Sequence, residues 1–71
     1  MMPITLANVG EDVMIKKVGG NPETRRFLEG LGFTAGTDVK IVSEMGGNVI
    51  VNVKDSRVAV SKEMAQKIMV N

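Results

Sequence analysis

The chain has 71 residues, with nine lysines or arginines against eight aspartates or glutamates, a formal net charge of +1, and neither histidine nor cysteine. This length fits a single domain, residues 1–71, because below roughly 80 residues the interior is too small for two cores. The balanced charge is atypical of nucleic-acid-binding proteins, and a chain without cysteine forms no disulfide, zinc knuckle or iron–sulfur cluster, so we expect none of these.

The first predicted elements are a strand over residues 13–18 and a helix that follows it. β-branched residues at alternate positions indicate the strand, and two glycines then end it. Asn21 is suited to the N-cap of a helix, and Pro22, with its fixed φ, to the first helical position. Glu23 adds a carboxylate near the positive end of the helix dipole. The sequence therefore predicts that a helix begins at Pro22.

This helix is predicted to end at Leu31. Gly32 can adopt the left-handed conformation that a helix C-terminus often requires, and Phe33 can then fold back toward Leu28. We interpret Gly32 and Phe33 as structural residues, and we expect a β-branched residue at position 32 to cost on the order of 1 to 2 kcal/mol. The residues spaced to form the apolar face of the helix are Thr24, Phe27, Leu28 and Leu31.

The rest of the chain shows mainly a period of two. Residues 37–44 and 48–54 are predicted to form a hairpin with its turn at 45–48, which places Met45 at the turn tip. After a second turn at 55–56, residues 57–60 are expected to form a closing or edge strand. Ser61 then resembles an N-cap for a short helix over 62–68, followed by a brief strand over 69–71.

These elements predict a mainly β fold with short helices. We interpret it as an SH3-like, partly open β-barrel, with one helix inserted after the first strand and a short C-terminal helix. A barrel of the OB type is the alternative, because it too combines five strands with a helix. Its helix normally lies between the third and fourth strands, whereas the main helix here comes earlier.

The residue types offer little chemistry. Without histidine, cysteine or tyrosine the commonest general bases and several nucleophiles are missing, so we predict that the protein is not an enzyme and has no catalytic residues. The glycines of residues 30–36 follow a helix, whereas a phosphate site needs them before one. The carboxylates match no known metal-binding spacing, so we expect neither a metal site nor a cofactor.

The start of the chain lacks the basic residues and long apolar run of a secretory signal. No apolar run approaches the roughly 20 residues that cross a bilayer. We therefore expect a cytoplasmic protein that does not insert into a membrane. Any membrane association would come through a partner.

Residues 25–37, RRFLEGLGFTAGT, resemble the FeoA family of ferrous-iron-transport accessory proteins. The likeness continues through Gly36, which precedes a valine-rich hairpin, and through the closing residues 57–60. It implies an SH3-like barrel in which Gly36 is structural. It also implies a bacterial accessory or regulatory protein that acts beside a membrane iron permease carrying a cytoplasmic GTPase domain. Such a protein would be cytoplasmic and peripheral to the inner membrane.

Two hypotheses follow from the resemblance. In the first, the protein is an adaptor that binds the GTPase-containing part of the permease, with these contact residues: Arg25, Arg26, Met45 and Arg57. In the second, it is a metal-binding or metal-sensing domain related to the C-terminal domain of iron-dependent repressors, in line with transition-metal binding described for the family. Reversing the charges of the arginines tests the first hypothesis, and mutating exposed carboxylates tests the second.

Overall fold

Strands make up most of the fold. The computed structural model describes all residues, 1–71, and contains six strands, two α-helices and one 3₁₀ turn. In chain order these are β1 Met2–Pro3, the 3₁₀ turn Ile4–Leu6, β2 Asp12–Val18, α1 Pro22–Gly30, β3 Asp38–Met45, β4 Asn48–Val53, β5 Ser56–Ser61, α2 Lys62–Ala65 and β6 Ile68–Val70.

The strands form one antiparallel sheet in the order β1-β6-β2-β3-β4-β5. β2 connects the strands β1 and β6 to the strands β3, β4 and β5, because it pairs with β6 on one side and with β3 on the other. The register shifts once between Ile15 and Lys17 and once between Ile41 and Ser43. Such irregularities increase the twist and bend of a strand. The sheet is open, with β1 and β5 at its edges, and the predicted mainly β fold is confirmed.

The predicted hairpin is formed by β3 and β4. Gly46 and Gly47 connect the strands with φ of +55° and +82°, as a two-residue turn with two left-handed positions requires. The alternation along β4 turns Val49, Val51 and Val53 toward the core, where each is at most 2% exposed. The predicted hairpin is therefore confirmed in both its turn and its buried face.

The core is entirely apolar. Sixteen residues are buried, none of them polar, and the largest is Phe33. Aliphatic side chains of β2, β3, β4 and β6 supply most of the remainder, and α1 contributes Leu28. Since transfer from water is worth about 25 cal/mol per Å² of apolar surface, this aliphatic cluster is the main source of stability.

Both ends of α1 are fixed as predicted. The Asn21 side chain accepts a hydrogen bond from the backbone N–H of Thr24 at 2.8 Å. At the other end, the N–H of Phe33 donates to the carbonyl of Leu28 at 3.1 Å, and the N–H of Gly32 donates to that of Glu29 at 3.0 Å. These two bonds form a Schellman motif, with Gly32 at φ +107°.

Two details of the predicted helices are wrong. Phe27 does not share the buried face of α1 but is 54% exposed. The helix is oriented so that Leu28 is its fully buried residue. α2 ends at Ala65 instead of residue 68, because Ile68 pairs with Val18 and extends the sheet along the free side of β2.

The strand boundaries differ at three points. The turn between β4 and β5 lies at residues 54–55 instead of 55–56, with Lys54 at φ +57°. The last strand is Ile68–Val70, one residue earlier than predicted. The short strand β1 was not predicted, so α1 follows the second strand of the chain. β1 exists through pairing of Met2 with Val70, which no local pattern signals.

Candidate protein-binding surface

The solvent face of α1 carries a recess in the protein surface. A shallow recess of about 260 Å³ is lined by four residues: Pro22, Arg25, Arg26 and Glu29. Their spacing of three and four residues places them on one side of a helix. Arg25 and Arg26 are both exposed, so this side presents two guanidinium groups to solvent.

The fold holds α1 rigidly beneath this surface. Leu28 is fully buried, and the N-cap and Schellman bonds fix the two ends. Just beyond the helix the backbone packs closely on β4, since a Cβ added to Gly32 would lie 2.7 Å from Val53 Cγ1. The side chains of α1 are therefore displayed from a fixed backbone.

Phe27 adds an exposed aromatic side chain, although its spacing predicts a place on the apolar face of the helix. It lies about 100° around the helix from Leu28, at the flank of the buried face. Gly30, three residues later, has no side chain to cover the ring. No local pattern distinguishes Phe27 from the buried Leu28, since the rotation of α1 against the sheet decides which of the two is exposed.

The structure does not bring the four predicted contact residues together. Arg25 and Arg26 lie on α1, and the exit of that helix is beside Val53. Met45 is 70% exposed at the other end of β4, where it pairs with Asn48, about 17 Å away at roughly 3.3 Å per residue.

Arg57 lies on a third element. It is exposed on the edge strand β5, opposite Asn52 and near the same end of β4 as the exit of α1. The two arginines of α1 thus form one surface, and Met45 belongs to another. The partner-binding role of all four residues stays a prediction.

The donor groups of the chain do not fit a transition-metal site. Histidine and cysteine are absent, and no three carboxylates converge in the structure. Transition metals favour imidazole and thiolate ligands, and a site normally needs at least three protein groups. In addition, no helix has the length and apolar character needed to cross a membrane.

Comparison with known proteins gives the family. The sequence profile of the FeoA domain matches residues 2–71. A protein of Methanocaldococcus jannaschii named "Putative Fe(2+) transport protein A" is 33% identical over 70 residues, which cover 99% of this chain and 85% of that protein.

Solved structures give the same result for the fold. The crystal structure of an iron uptake regulatory protein, FeoA, superposes with a TM-score of 0.90 at 26% identity, covering 99% of this chain and 93% of that one. A zinc complex of Stenotrophomonas maltophilia FeoA, described as a prokaryotic SH3 domain protein, gives 0.87 at 23% identity, covering 100% and 91%. The predicted SH3-like architecture is thereby confirmed.

Part of a manganese-dependent transcriptional repressor has the same fold. The TM-score is 0.86 at 17% identity, and the match covers 96% of this chain but 39% of the repressor. The fold thus occurs both as a separate protein and within a larger regulator. The separate proteins named above are matched over 85% or more of their own length, whereas the repressor is matched over 39%. We conclude that the chain belongs to the FeoA domain family of ferrous-iron-transport accessory proteins.

Proposed function

We propose that this protein is a non-enzymatic adaptor that binds the cytoplasmic, GTPase-containing part of a membrane ferrous iron permease. It acts in the cytoplasm, peripheral to the inner membrane through that partner. Membership of the FeoA family supports a role in ferrous iron transport. The observation that carries the proposal is the exposed surface of α1: Arg25 and Arg26 line a recess on its solvent side, and Phe27 is exposed at the flank of the helix.

The chemistry of this face suits a protein partner. Arginine and aromatic residues are enriched among the side chains that contribute most to protein–protein binding. Arg25 and Arg26 can pair with carboxylates of the partner, and Phe27 can enter an apolar pocket. Because α1 is capped at both ends, little backbone entropy is lost when it docks.

A titration of the isotope-labelled protein with the cytoplasmic part of the permease tests this surface. We expect localised NMR shift changes over residues 22–33. The double substitution Arg25→Glu, Arg26→Glu should weaken binding at least about tenfold, since loss of a central contact costs 1.4 kcal/mol or more. The same charge change at the exposed pair Lys16 and Lys17 is the matched control and should leave binding unchanged.

The opposite pattern would refute the proposal. If both double variants bind like the parent protein, or if both lose binding equally, α1 is not the docking surface. A parallel titration with Fe²⁺ under anaerobic conditions tests the metal-sensing alternative. Saturable shifts at carboxylate residues with Fe²⁺ alone would favour that alternative over the adaptor.

A further inference from the structure

The two edges of the sheet differ in their protection against pairing with another chain. β1 is two residues long and contains Pro3, which has no backbone N–H. β5 is six residues long, contains neither proline nor lysine, and pairs with β4 without a register shift from Ser56 to Ser61. Arg57 is the one charged residue of this edge. A regular edge of this length, with a single charge and with no proline, lysine or bulge, is the kind that a further strand can join.

The free backbone groups of β5 belong to alternate residues. A two-residue turn joins β4 to β5, so Val53 and Ser56 form a hydrogen-bonded pair, and such pairs alternate along an antiparallel ladder. Arg57 and Ala59 consequently direct their N–H and C=O groups away from β4. Neither residue takes part in the backbone hydrogen bonds formed outside the regular elements.

The inner face of the sheet is incomplete at the same edge. Val58 and Val60 both point to the core side, but Val60 is 4% exposed whereas Val58 is only half-buried. Val58 packs against the core cluster without being enclosed by it. A strand added beside β5 would cover this side chain and satisfy the free backbone groups in one step.

We infer that the edge of β5 pairs with the same edge of a second copy of the chain, antiparallel and centred on Ala59. In this register Ala59 faces its counterpart, and each Arg57 faces Ser61 of the other copy, so no like charges are opposed. On the core side each Val58 faces Val60 of the other copy. A register that brings the two Arg57 residues opposite each other would be repulsive.

The pairing is isologous and therefore closes at two copies. The net charge of +1 gives little repulsion between them. A single pair of edge strands buries less than the roughly 1,200 Å² typical of a stable dimer. The dimer is accordingly weak, forming and dissociating with protein concentration.

Sedimentation equilibrium of the full chain, from micromolar to millimolar concentration, tests the inference. We expect a reversible monomer–dimer equilibrium. Ala59→Pro removes the outward N–H without touching the bonds to β4, and it should keep the protein monomeric. Ala59→Ser retains the N–H and, as the matched control, should dimerise like the parent chain. Circular dichroism confirms that both variants are folded.

Opposite charges introduced at position 59, on the two-fold axis, test whether the partner is a second copy of the chain. Ala59→Lys and Ala59→Glu should each weaken self-association at least about tenfold, because the new charges meet their own copies. An equimolar mixture of the two variants should restore it. The inference is overturned if the parent chain stays monomeric at all concentrations or if Ala59→Pro dimerises normally.

A third result would assign the edge to another protein. If the parent chain is monomeric while Ala59→Pro, unlike Ala59→Ser, loses binding to the permease domain, β5 receives a strand of that partner and the self-pairing is wrong. Failure of the α1 proposal is seen separately, since the Arg25 and Arg26 substitutions do not touch the β5 edge.

Discussion

At the scale of single residues, the exit of α1 depends on the absence of one Cβ. Gly32 combines φ of +107° with an approach of 2.7 Å between its added Cβ and Val53 Cγ1. Gly36 has φ of +89° but no neighbour within 4 Å, and Gly30 is helical with open space around it. The three positions therefore separate backbone strain, steric clash and helix propensity.

We predict that Gly32→Ala lowers the free energy of unfolding by about 1–3 kcal/mol, more than Gly36→Ala, because it adds a clash to the strain of positive φ. Gly30→Ala should raise the free energy of unfolding by up to about 1 kcal/mol. Urea denaturation of the three variants measures these differences. Equal losses for Gly32→Ala and Gly36→Ala would show that Val53 moves aside.

The N-cap of α1 is a second single-residue contribution. Asn21→Ala removes the 2.8 Å hydrogen bond to the N–H of Thr24 and should cost about 1 kcal/mol. Asn21→Asp keeps an acceptor at the same place and should cost little. Thermal unfolding of both variants decides the matter, and a loss common to both would mean that the amide, not the cap, is needed.

At the scale of elements, α1 is anchored by one side chain and displays its neighbour. Leu28→Ala should lower the free energy of unfolding by about 2–5 kcal/mol, because Leu28 is fully buried in the core. Phe27→Ala should change it by less than about 1 kcal/mol, because Phe27 is 54% exposed. Of these two adjacent residues, Leu28 therefore contributes to stability, whereas Phe27 is available for contact with a partner.

Chemical denaturation measures the stability of the two variants, and titration with the permease domain measures their binding. We expect Phe27→Ala to bind more weakly than the parent chain while unfolding at nearly the same denaturant concentration. A large loss of stability in Phe27→Ala would mean that the ring supports the fold. In that event its exposure would no longer indicate a contact surface.

The elements predicted correctly from sequence are those with local signals. The Asn21-Pro22 start, the Gly32 exit and the Gly46-Gly47 turn each carry their own backbone requirement, and the structure contains all three. The end of α2 and the strand β1 depend instead on distant pairing partners. Ile68 fits a helical pattern, but it pairs with Val18 of β2 and is therefore a strand residue.

At the scale of the whole molecule, only part of the candidate surface follows from local sequence. Arg25 and Arg26 are two of the predicted contact residues, and both are exposed on one helix. Their separation from Met45 depends on how the hairpin lies against α1, which no local pattern encodes. The exposure of Phe27 depends on how α1 is rotated against the sheet, and a single buried side chain sets that rotation.

The inventory of metal donors is also a property of the whole molecule. The chain has no histidine or cysteine, and its carboxylates do not converge in groups of three. A cation that binds only the folded state, at a free concentration about 100 times its Kd, would add about 2.7 kcal/mol to the free energy of unfolding. We therefore predict that Fe²⁺ under anaerobic conditions, or Zn²⁺, leaves the urea midpoint unchanged, with Mg²⁺ at equal ionic strength as the control. A saturable rise with Fe²⁺ or Zn²⁺ but not with Mg²⁺ would contradict this prediction and favour the metal-sensing alternative over the adaptor.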